Sequence, residues 1–262
     1  MFTTIEKLIT ARNLRPKKKE GFLKVISIFS FLGIMLGVAT LIIVMSVMNG
    51  FRTELTEKIL GFNSHVTIKS YSANITEEFY SKLQEEYKDT KIIKTHNGEA
   101  VVMRNDSAKG VLIRGIDSEK IEEIDFFKKN IIDGGLSDFV DGTIILGKHL
   151  AIELGVVVGD KVNIMSSSSV STPLGAIPKQ SSYKIAAVFS SGLYEFDRNV
   201  AFFNLEDSLS FFEKTVDDIS LEIFLQNPLK ADKYKEEIQS KNSNFYVNSW
   251  SDLNKSFFSA LK

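Results

Sequence analysis

Residues that could do chemistry are few in this sequence and lie far apart along it. The three histidines, His65, His96 and His149, fall in separate segments and lack the spacing of metal ligands. His149 and a serine of the run Ser166–Ser169 could join an aspartate in a hydrolase triad, but the G-x-S-x-G nucleophile elbow is missing. The sequence has no cysteine and no Walker G-x-x-x-x-G-K-[ST] motif. We therefore expect a protein without catalytic residues, metal or cofactor, in which any ATP hydrolysis belongs to another chain.

One apolar segment dominates the first quarter of the sequence. Val25–Phe51 runs for 27 residues without a charge, and as a helix it would span roughly 40 Å, more than the ~30 Å of a bilayer's hydrocarbon. A cleavable signal peptide has a shorter apolar region followed by a small-residue cleavage site, and a soluble core helix rarely stays uncharged for so long. The segment is therefore predicted to be a transmembrane helix. Gly33 and Gly37 form a GxxxG pair on it, a spacing that lets another helix pack closely.

The charges around this segment predict its direction in the membrane. Only Glu6 and Glu20 oppose the seven basic residues that precede it, which are Lys7, Arg12, Arg15, Lys17, Lys18, Lys19 and Lys24. Basic residues stay on the cytoplasmic side, so the N-terminus is predicted to be cytoplasmic and the rest of the chain exported. The whole chain carries a net charge of -1 although its leader is strongly basic, so the exported part must be acidic. An acidic exported part argues against a nucleic-acid partner.

The helix is predicted to continue beyond the apolar segment as a stalk. Glu54 and Lys58 have the i,i+4 spacing of a helical ion pair, and Gly61 is a suitable C-cap. One helix is therefore expected to run from about Lys19 to Leu60. Such a helix could carry motion across the membrane.

Beyond the stalk, alternating strand and helix patterns predict an α+β domain. Strands are expected at 65–69, 91–95, 99–104, 110–116, 143–146, 160–165, 183–189, 200–204, 220–225 and 245–248, and helices at 76–88, 118–128, 148–154, 207–214 and 229–241. Because the last alternation mirrors the first, two βα-type halves are expected with a β-rich insertion between them. The predicted division is a basic leader at 1–24, the transmembrane helix at 25–51, the exported domain at 52–250 with halves at about 62–112 and 199–250 and an insertion at about 113–198, and the start of another helix at 251–262.

A polar loop with an apolar crest lies within the predicted insertion, at Ser166–Ser182. Pro173 and Pro178 interrupt it, and because proline cannot donate to a β-ladder we expect them to prevent regular strand pairing. Between the prolines lies the crest, formed by Leu174, Ala176 and Ile177. Long ordered loops are often functional, although a disordered connector is the alternative interpretation.

Several strings in this sequence resemble one known family. They are RNLRPKKKEGF before the apolar segment, SVMNGF at Ser46–Phe51, ILGKHLAIELGVVVGDKVNIM at Ile145–Met165, STPLGAIPKQ at Ser171–Gln180, GLYEFD at Gly192–Asp197 and WSDLNKSFFSALK at Trp250–Lys262. The family is that of the lipoprotein-releasing transmembrane permeases, the LolC/LolE family of the MacB/FtsX-like ABC permease superfamily. The likeness covers the whole chain. Family members continue with three more membrane helices, so the sequence resembles a permease without its C-terminal membrane helices.

The resemblance implies a function in the inner membrane. It implies a permease subunit with a periplasmic MacB-like core domain that extracts lipoproteins from the outer leaflet and hands them to a periplasmic carrier. The implied partners are a cytoplasmic ABC ATPase dimer, a second permease subunit or a second copy of this chain, the carrier, the lipoprotein substrate and membrane lipid. Alternatives are a related permease for efflux or cell-wall hydrolase activation, whose loop would differ from STPLGAIPKQ, and a single-span periplasmic scaffold.

The resemblance also assigns residues to two binding sites. The implied carrier-binding hook consists of Pro173, Leu174, Gly175, Ala176, Ile177, Pro178, Lys179 and Gln180, and the implied lipoprotein pocket is lined by Val44, Val47, Met48 and Phe51. An apolar crest beside the charge of Lys179 suits a carrier surface that is apolar with acidic edges. The pocket side chains supply apolar surface at the outer leaflet, where the flexible Met48 can adapt to acyl chains.

Overall fold

The computed structural model describes residues 3–13, 21–172 and 175–253. The chain divides into two compact units, Met1–Leu55 and Thr56–Lys262. The first unit contains helix α1 (Thr4–Asn13) and most of helix α2 (Gly21–Phe62). The predicted stalk helix is therefore confirmed from Gly21 onward, and its predicted start at Lys19 lies outside the described residues. Among the described residues, the segment Val25–Phe51 of α2 is long and apolar enough to cross a membrane, and its residues are not buried.

The second unit is built on one mixed β-sheet with short helices around it. Its strands are β1 (Val66–Ser70), β2 (Lys91–Arg104), β3 (Ser107–Ile116), β4 (Ile131–Gly134), β5 (Thr143–Gly147), β6 (Lys161–Thr172), β7 (Gly175–Phe189), β8 (Val200–Asn204), β9 (Ser220–Phe224) and β10 (Phe245–Ser249). Its helices are α3 (Glu77–Glu86), α4 (Asp125–Asn130), α5 (Lys148–Leu154), α6 (Tyr194–Asn199), α7 (Leu205–Phe212), α8 (Ala231–Lys241) and α9 (Trp250–Leu253). The α+β class predicted from the sequence is confirmed.

The strand order interleaves the two ends of the domain. Along the sheet the order is β10-β1-β9-β2-β3-β8-β5-β7-β4, and β6 pairs with β2 and β7. The pairs β3–β8 and β5–β7 are parallel, while the other pairs are antiparallel. Strand β9 therefore lies between β1 and β2, which places strands of both predicted halves in one continuous sheet.

Three apolar clusters hold this sheet and its helices together. One packs α3, α8 and Trp250 against β1, β9 and β10, and a second packs α5 and α7 against the middle strands. The third is rich in phenylalanine and includes Phe127, Phe139, Phe189 and Phe202, all fully buried. Side chains alternate between the two faces of each strand, so neighbouring residues such as Ile92 and Ile93 enter different clusters.

Local signals place several helix ends correctly. Thr76 caps α3 by accepting a hydrogen bond from the Phe79 amide at 3.2 Å. Gly155 ends α5 in the left-handed conformation, with φ of 63°, which glycine adopts without the steric cost of a Cβ.

Two predicted elements differ in the structure. The segments 91–95 and 99–104 form one strand, β2, because its ladder with β3 continues through Gly98 without interruption. Gly98 also leaves room for the ring of Phe212, since an added Cβ would lie 2.5 Å from it. The predicted helix at 118–128 is wrong. It is a 3-10 turn at Ile121–Glu123 followed by α4, with Ile124 extended between them. This break allows Ile121, Ile124 and Phe127 to enter the same cluster.

The prediction that Pro173 and Pro178 prevent strand pairing is also wrong for Pro178. Ladder pairing continues outward to Thr172 and Gly175, with Pro178 opposite Ser169. Among the described residues, β7 pairs with β5 only from Lys184 onward, so the outer side of Pro178 faces no further strand. Proline is tolerated there because an edge position requires no donor on that side.

Candidate functional site

The β6–β7 hairpin extends beyond the strands that support its base. Strand β6 pairs with β2 only from Asn163 to Ser166, whereas the hairpin's own ladder continues to Thr172. A register shift between Met165 and Ser169 places two extra residues on β6. A two-stranded ribbon is marginally stable alone, and a bulge bends it, so the direction of this ribbon depends on contacts beyond its own ladder.

Lys179 connects the hairpin to helix α7. Its ammonium group donates a hydrogen bond to the Ser210 carbonyl at 2.7 Å and lies 3.9 Å from the Glu213 carboxylate. Ser210 is in the last turn of α7, where its carbonyl also accepts a hydrogen bond from the Glu213 amide at 3.4 Å. Carbonyls at a helix C-terminus favour a positive charge. The sequence placed Lys179 on a carrier-facing surface, and the structure shows it in contact with its own domain.

Apart from Pro173 and Leu174, the other predicted hook residues lie on strand β7, where Gln180 pairs with Met165 near the base of the hairpin. Pro173 and Leu174 are outside the described residues, as is the side chain of Ala176. Gly175 begins β7 with φ of 117°, a conformation that disfavours other residues. Ile177 is 52% exposed and supplies apolar surface. The Gln180 amide, on the exposed side of β7, donates to the sulfur of Met165 at 3.5 Å.

The predicted pocket residues share one face of α2. Val44, Val47, Met48 and Phe51 follow the i, i+3, i+4, i+7 spacing of a single helical face, and each is more than half exposed. Added Cβ atoms at Gly33 and Gly37 would have no neighbour within 4 Å in this single chain. The four pocket residues and the two glycines are therefore open to contacts with lipid or with another helix.

A cavity of about 370 Å³, lined by both polar and apolar side chains, lies on one face of the sheet. Among its lining residues are Arg114 of β3 and Glu222 of β9, whose side chains form an ion pair at 2.6 Å and are only 7% and 5% exposed. Trp250 and Phe196 form part of its apolar wall. Sequence reasoning missed this pair. Its only signal was a charge in the middle of each of two apolar strands.

His65 joins the last turn of α2 to strand β9. Its Nδ1 atom accepts a hydrogen bond from the Leu225 amide at 2.8 Å, and Nε2 lies 3.2 Å from the Leu60 carbonyl, so the neutral ring must carry its proton on Nε2. Burial holds the pKa of His65 below its usual value, because the charged ring would lose its hydration. The sequence alone indicated only a surface or packing residue.

A second buried histidine joins β2 to α7. The Nδ1 atom of His96 lies 2.8 Å from the Ser208 hydroxyl, and burial lowers the pKa of His96. Ser208 is fully buried, so this pair packs the helix and presents no accessible nucleophile. In the described parts of the chain, no three His, Asp or Glu side chains are grouped closely enough to hold a metal ion.

Comparison with known families identifies the class of this protein. The family model of the MacB-like periplasmic core domain matches residues 27–241. The chain therefore belongs to the MacB-like periplasmic core domain family.

Its similarity to the LolC and LolE proteins is confirmed by individual relatives. It is 28% identical over 266 residues to the lipoprotein-releasing system transmembrane protein LolC of Neisseria meningitidis, covering 99% of this chain and 64% of that protein. It is 31% identical to LolC of Haemophilus influenzae over 76% of this chain and 50% of the relative. LolE of the same organism is 28% identical, over 85% of this chain and 55% of that protein. The chain thus spans between half and two thirds of the length of these relatives.

Solved structures include a similar domain. The periplasmic region of MacB from Actinobacillus actinomycetemcomitans aligns with 77% of this chain and 95% of its own, with a TM-score of 0.48 and 12% identity.

Proposed function

We propose that this chain is a permease subunit of an ABC transporter that extracts lipoproteins from the outer leaflet of the inner membrane and passes them to a periplasmic carrier. The observation that carries the proposal is the similarity to LolC proteins over 99% of the chain. A separate ATPase supplies the energy, and a second permease subunit or a second copy of this chain completes the membrane part.

The candidate membrane helix and the hairpin support two steps of this function. The exposed face with Val47, Met48 and Phe51 offers the apolar surface that acyl chains need. The hairpin tip, with the exposed Ile177, offers a small apolar surface for the carrier. Because α2 continues as one helix to Phe62, displacement caused by the ATPase can reach the domain without catalytic side chains.

The hairpin tip provides the sharpest test of this proposal. The full chain in detergent is titrated with the periplasmic carrier, and the wild type is compared with a variant whose residues 173–178 are replaced by a Gly-Ser segment. We expect the replacement to weaken binding by about tenfold or more, because it removes the apolar contact and the two prolines that restrict the backbone of this segment.

A second hairpin tip provides the matched control. Asn105 and Asp106 join β2 to β3, and Asn105 already has φ of 50°, so a Gly-Ser pair fits there. This control should keep wild-type affinity for the carrier. Equal affinity for the wild type and the 173–178 variant would remove the hook from the mechanism.

A further inference from the structure

Beyond Ser166, the β6–β7 hairpin is no longer paired with β2. Near this point Lys179 contacts the C-terminal end of α7. Lys179 lies next to Pro178 and to the register shift, at the point where the ribbon leaves its supporting strands. A ribbon that bends at a bulge can point in several directions. A contact at this point bears directly on the angle at which the ribbon leaves its supporting strands.

Helix α7, which makes this contact with Lys179, is packed tightly against the sheet. Phe211 and Phe212 are buried in the apolar cluster of the middle strands, and the His96–Ser208 contact holds the helix against β2. An added Cβ at Gly115 would lie 2.4 Å from the Ser208 side chain, so β3 and α7 are in close contact. The Ser210 carbonyl, which accepts the hydrogen bond from Lys179, therefore belongs to a well-packed helix.

The residue that ends α7 adds a second observation. Glu213 adopts the left-handed conformation with φ of 56°, which glycine usually occupies at a helix C-cap. A non-glycine residue is disfavoured there, and its carboxylate lies 3.9 Å from the Lys179 ammonium. The helix terminus thus presents both a carbonyl and a carboxylate to one lysine of the hairpin.

We infer that Lys179 is a positioning residue that fastens the β6–β7 hairpin to the end of α7 and thereby sets the direction in which the hook is presented. Both Lys179 and Glu213 are partly exposed, so the contact is modest and reversible. Its effect on the carrier is indirect, because a hook that samples several directions is competent to bind for only part of the time. This consequence for the carrier rests on the proposed function, while the position of the hairpin does not.

The position of the hairpin can be measured by pulsed electron paramagnetic resonance on the full chain in detergent. The sequence has no cysteine, so spin labels can be attached to Ile177→Cys on the hairpin and to Ile152→Cys on α5, both of which replace exposed residues. We expect Lys179→Met to broaden the distance distribution and Lys179→Arg to restore it. Lys184→Met, which changes an exposed lysine further along β7, is the control and should leave the distribution narrow.

A second variant separates positioning from stability. Glu213→Gly removes the carboxylate but relieves the left-handed conformation, so the domain should melt no lower than the wild type while the distance distribution broadens in part. An unchanged distribution in Lys179→Met would overturn the inference.

Binding of the carrier to the same variants distinguishes this inference from the proposed function. We expect Lys179→Met to bind the carrier about threefold to tenfold more weakly and Lys179→Arg to recover the affinity. Lost affinity with an unchanged distance distribution would make Lys179 a direct carrier contact and overturn the positioning role. If the wild-type chain does not bind the carrier, the proposed function fails, and the distance measurement still decides the role of Lys179.

Discussion

At the residue scale, His65 makes the domain sensitive to mild acid. Its Nδ1 atom accepts a hydrogen bond from the Leu225 amide. In a protonated ring, the Nδ1–H group would point at the N–H group of Leu225 and the hydrogen bond would be lost. The pKa of His65 is lowered in the folded domain, so above pH 6.5 the ring is neutral in both states and its contribution to stability is complete. As pH falls below 6.5, His65 is protonated in the unfolded chain before it is protonated in the folded domain. The free energy of unfolding therefore declines until the pH falls below the pKa of His65 in the folded domain.

This reasoning predicts a pH-dependent free energy of unfolding. Between pH 7.5 and 5.5 we expect the wild type to lose stability with a slope of up to about 1.4 kcal/mol per pH unit for each such histidine. His96, whose pKa is also lowered by burial, adds to it. His65→Phe should start from a lower stability, because the Leu225 amide loses its acceptor, but show a shallower slope.

The measurement uses the single tryptophan of the chain. Trp250 is buried, and its amide donates to the His65 carbonyl at 3.0 Å, so its fluorescence reports unfolding of this region. Urea titrations at several pH values give the slope for each variant. An identical slope in His65→Phe would show that another group causes the pH dependence.

The buried Arg114–Glu222 pair predicts strong coupling between two substitutions. Removing one partner leaves a buried charge without its counterion, so Arg114→Met or Glu222→Leu should cost about 3–5 kcal/mol. The double change Arg114→Met with Glu222→Leu should cost less than the two single changes added together, because neither charge remains. Additive losses in urea unfolding would argue against this coupling. The exposed pair Lys214–Asp218, which should contribute about 1 kcal/mol or less, is the control.

At the element scale, the sheet edge at β10 is closed by side chains. The Gln239 amide of α8 donates to the Phe245 carbonyl at 2.9 Å and accepts from the Val247 amide at 3.0 Å. Further along, the Ser249 amide donates to the Asp252 carboxylate at 3.2 Å. An open edge strand can pair with another chain, so these side chains occupy groups that would otherwise be available for strand addition.

Gln239→Ala is therefore predicted to open this edge. We expect the Val247 amide to exchange with solvent about tenfold faster and the protein to self-associate more at high concentration, because two backbone groups lose their partners. Amide exchange followed by mass spectrometry and light scattering measure the two effects. Gln84→Ala, which removes a hydrogen bond to the Tyr80 hydroxyl on α3, should change neither. Unchanged exchange at Val247 would mean that Gln239 does not protect the edge.

At the scale of the whole molecule, the charges before α2 predict its topology. If the basic leader stays in the cytoplasm, a reporter that is active only in the periplasm should work when fused after Leu60 and fail when fused before Lys24. A reporter that is active only in the cytoplasm should give the opposite pattern. Periplasmic activity before Lys24 would reverse the orientation and contradict the proposed function.

The sequence by itself determined the features that depend on neighbouring residues. The uncharged segment Val25–Phe51 predicted the long helix, because only helix formation satisfies its backbone in an apolar medium. Side-chain alternation at 65–69 predicted strand β1, and Thr76 and Gly155 mark helix ends, because capping involves atoms a few residues apart. The bases of β6 and β7 were likewise visible as strand patterns at 160–165 and 183–189, on either side of a polar segment with an apolar crest.

Only the tertiary structure decided which distant segments meet. The insertion of β9 between β1 and β2, and the pairing of Arg114 with Glu222, join residues more than 100 positions apart. The contact of Lys179 with Ser210 also has no local pattern, since the helix terminus that attracts the ammonium exists only after α7 has packed. Pro178 remains within a ladder because the sheet places it at an edge, a fact that depends on strand order. Which distant strands pair depends on burying all the apolar faces of the domain together. A short segment of sequence does not contain that information.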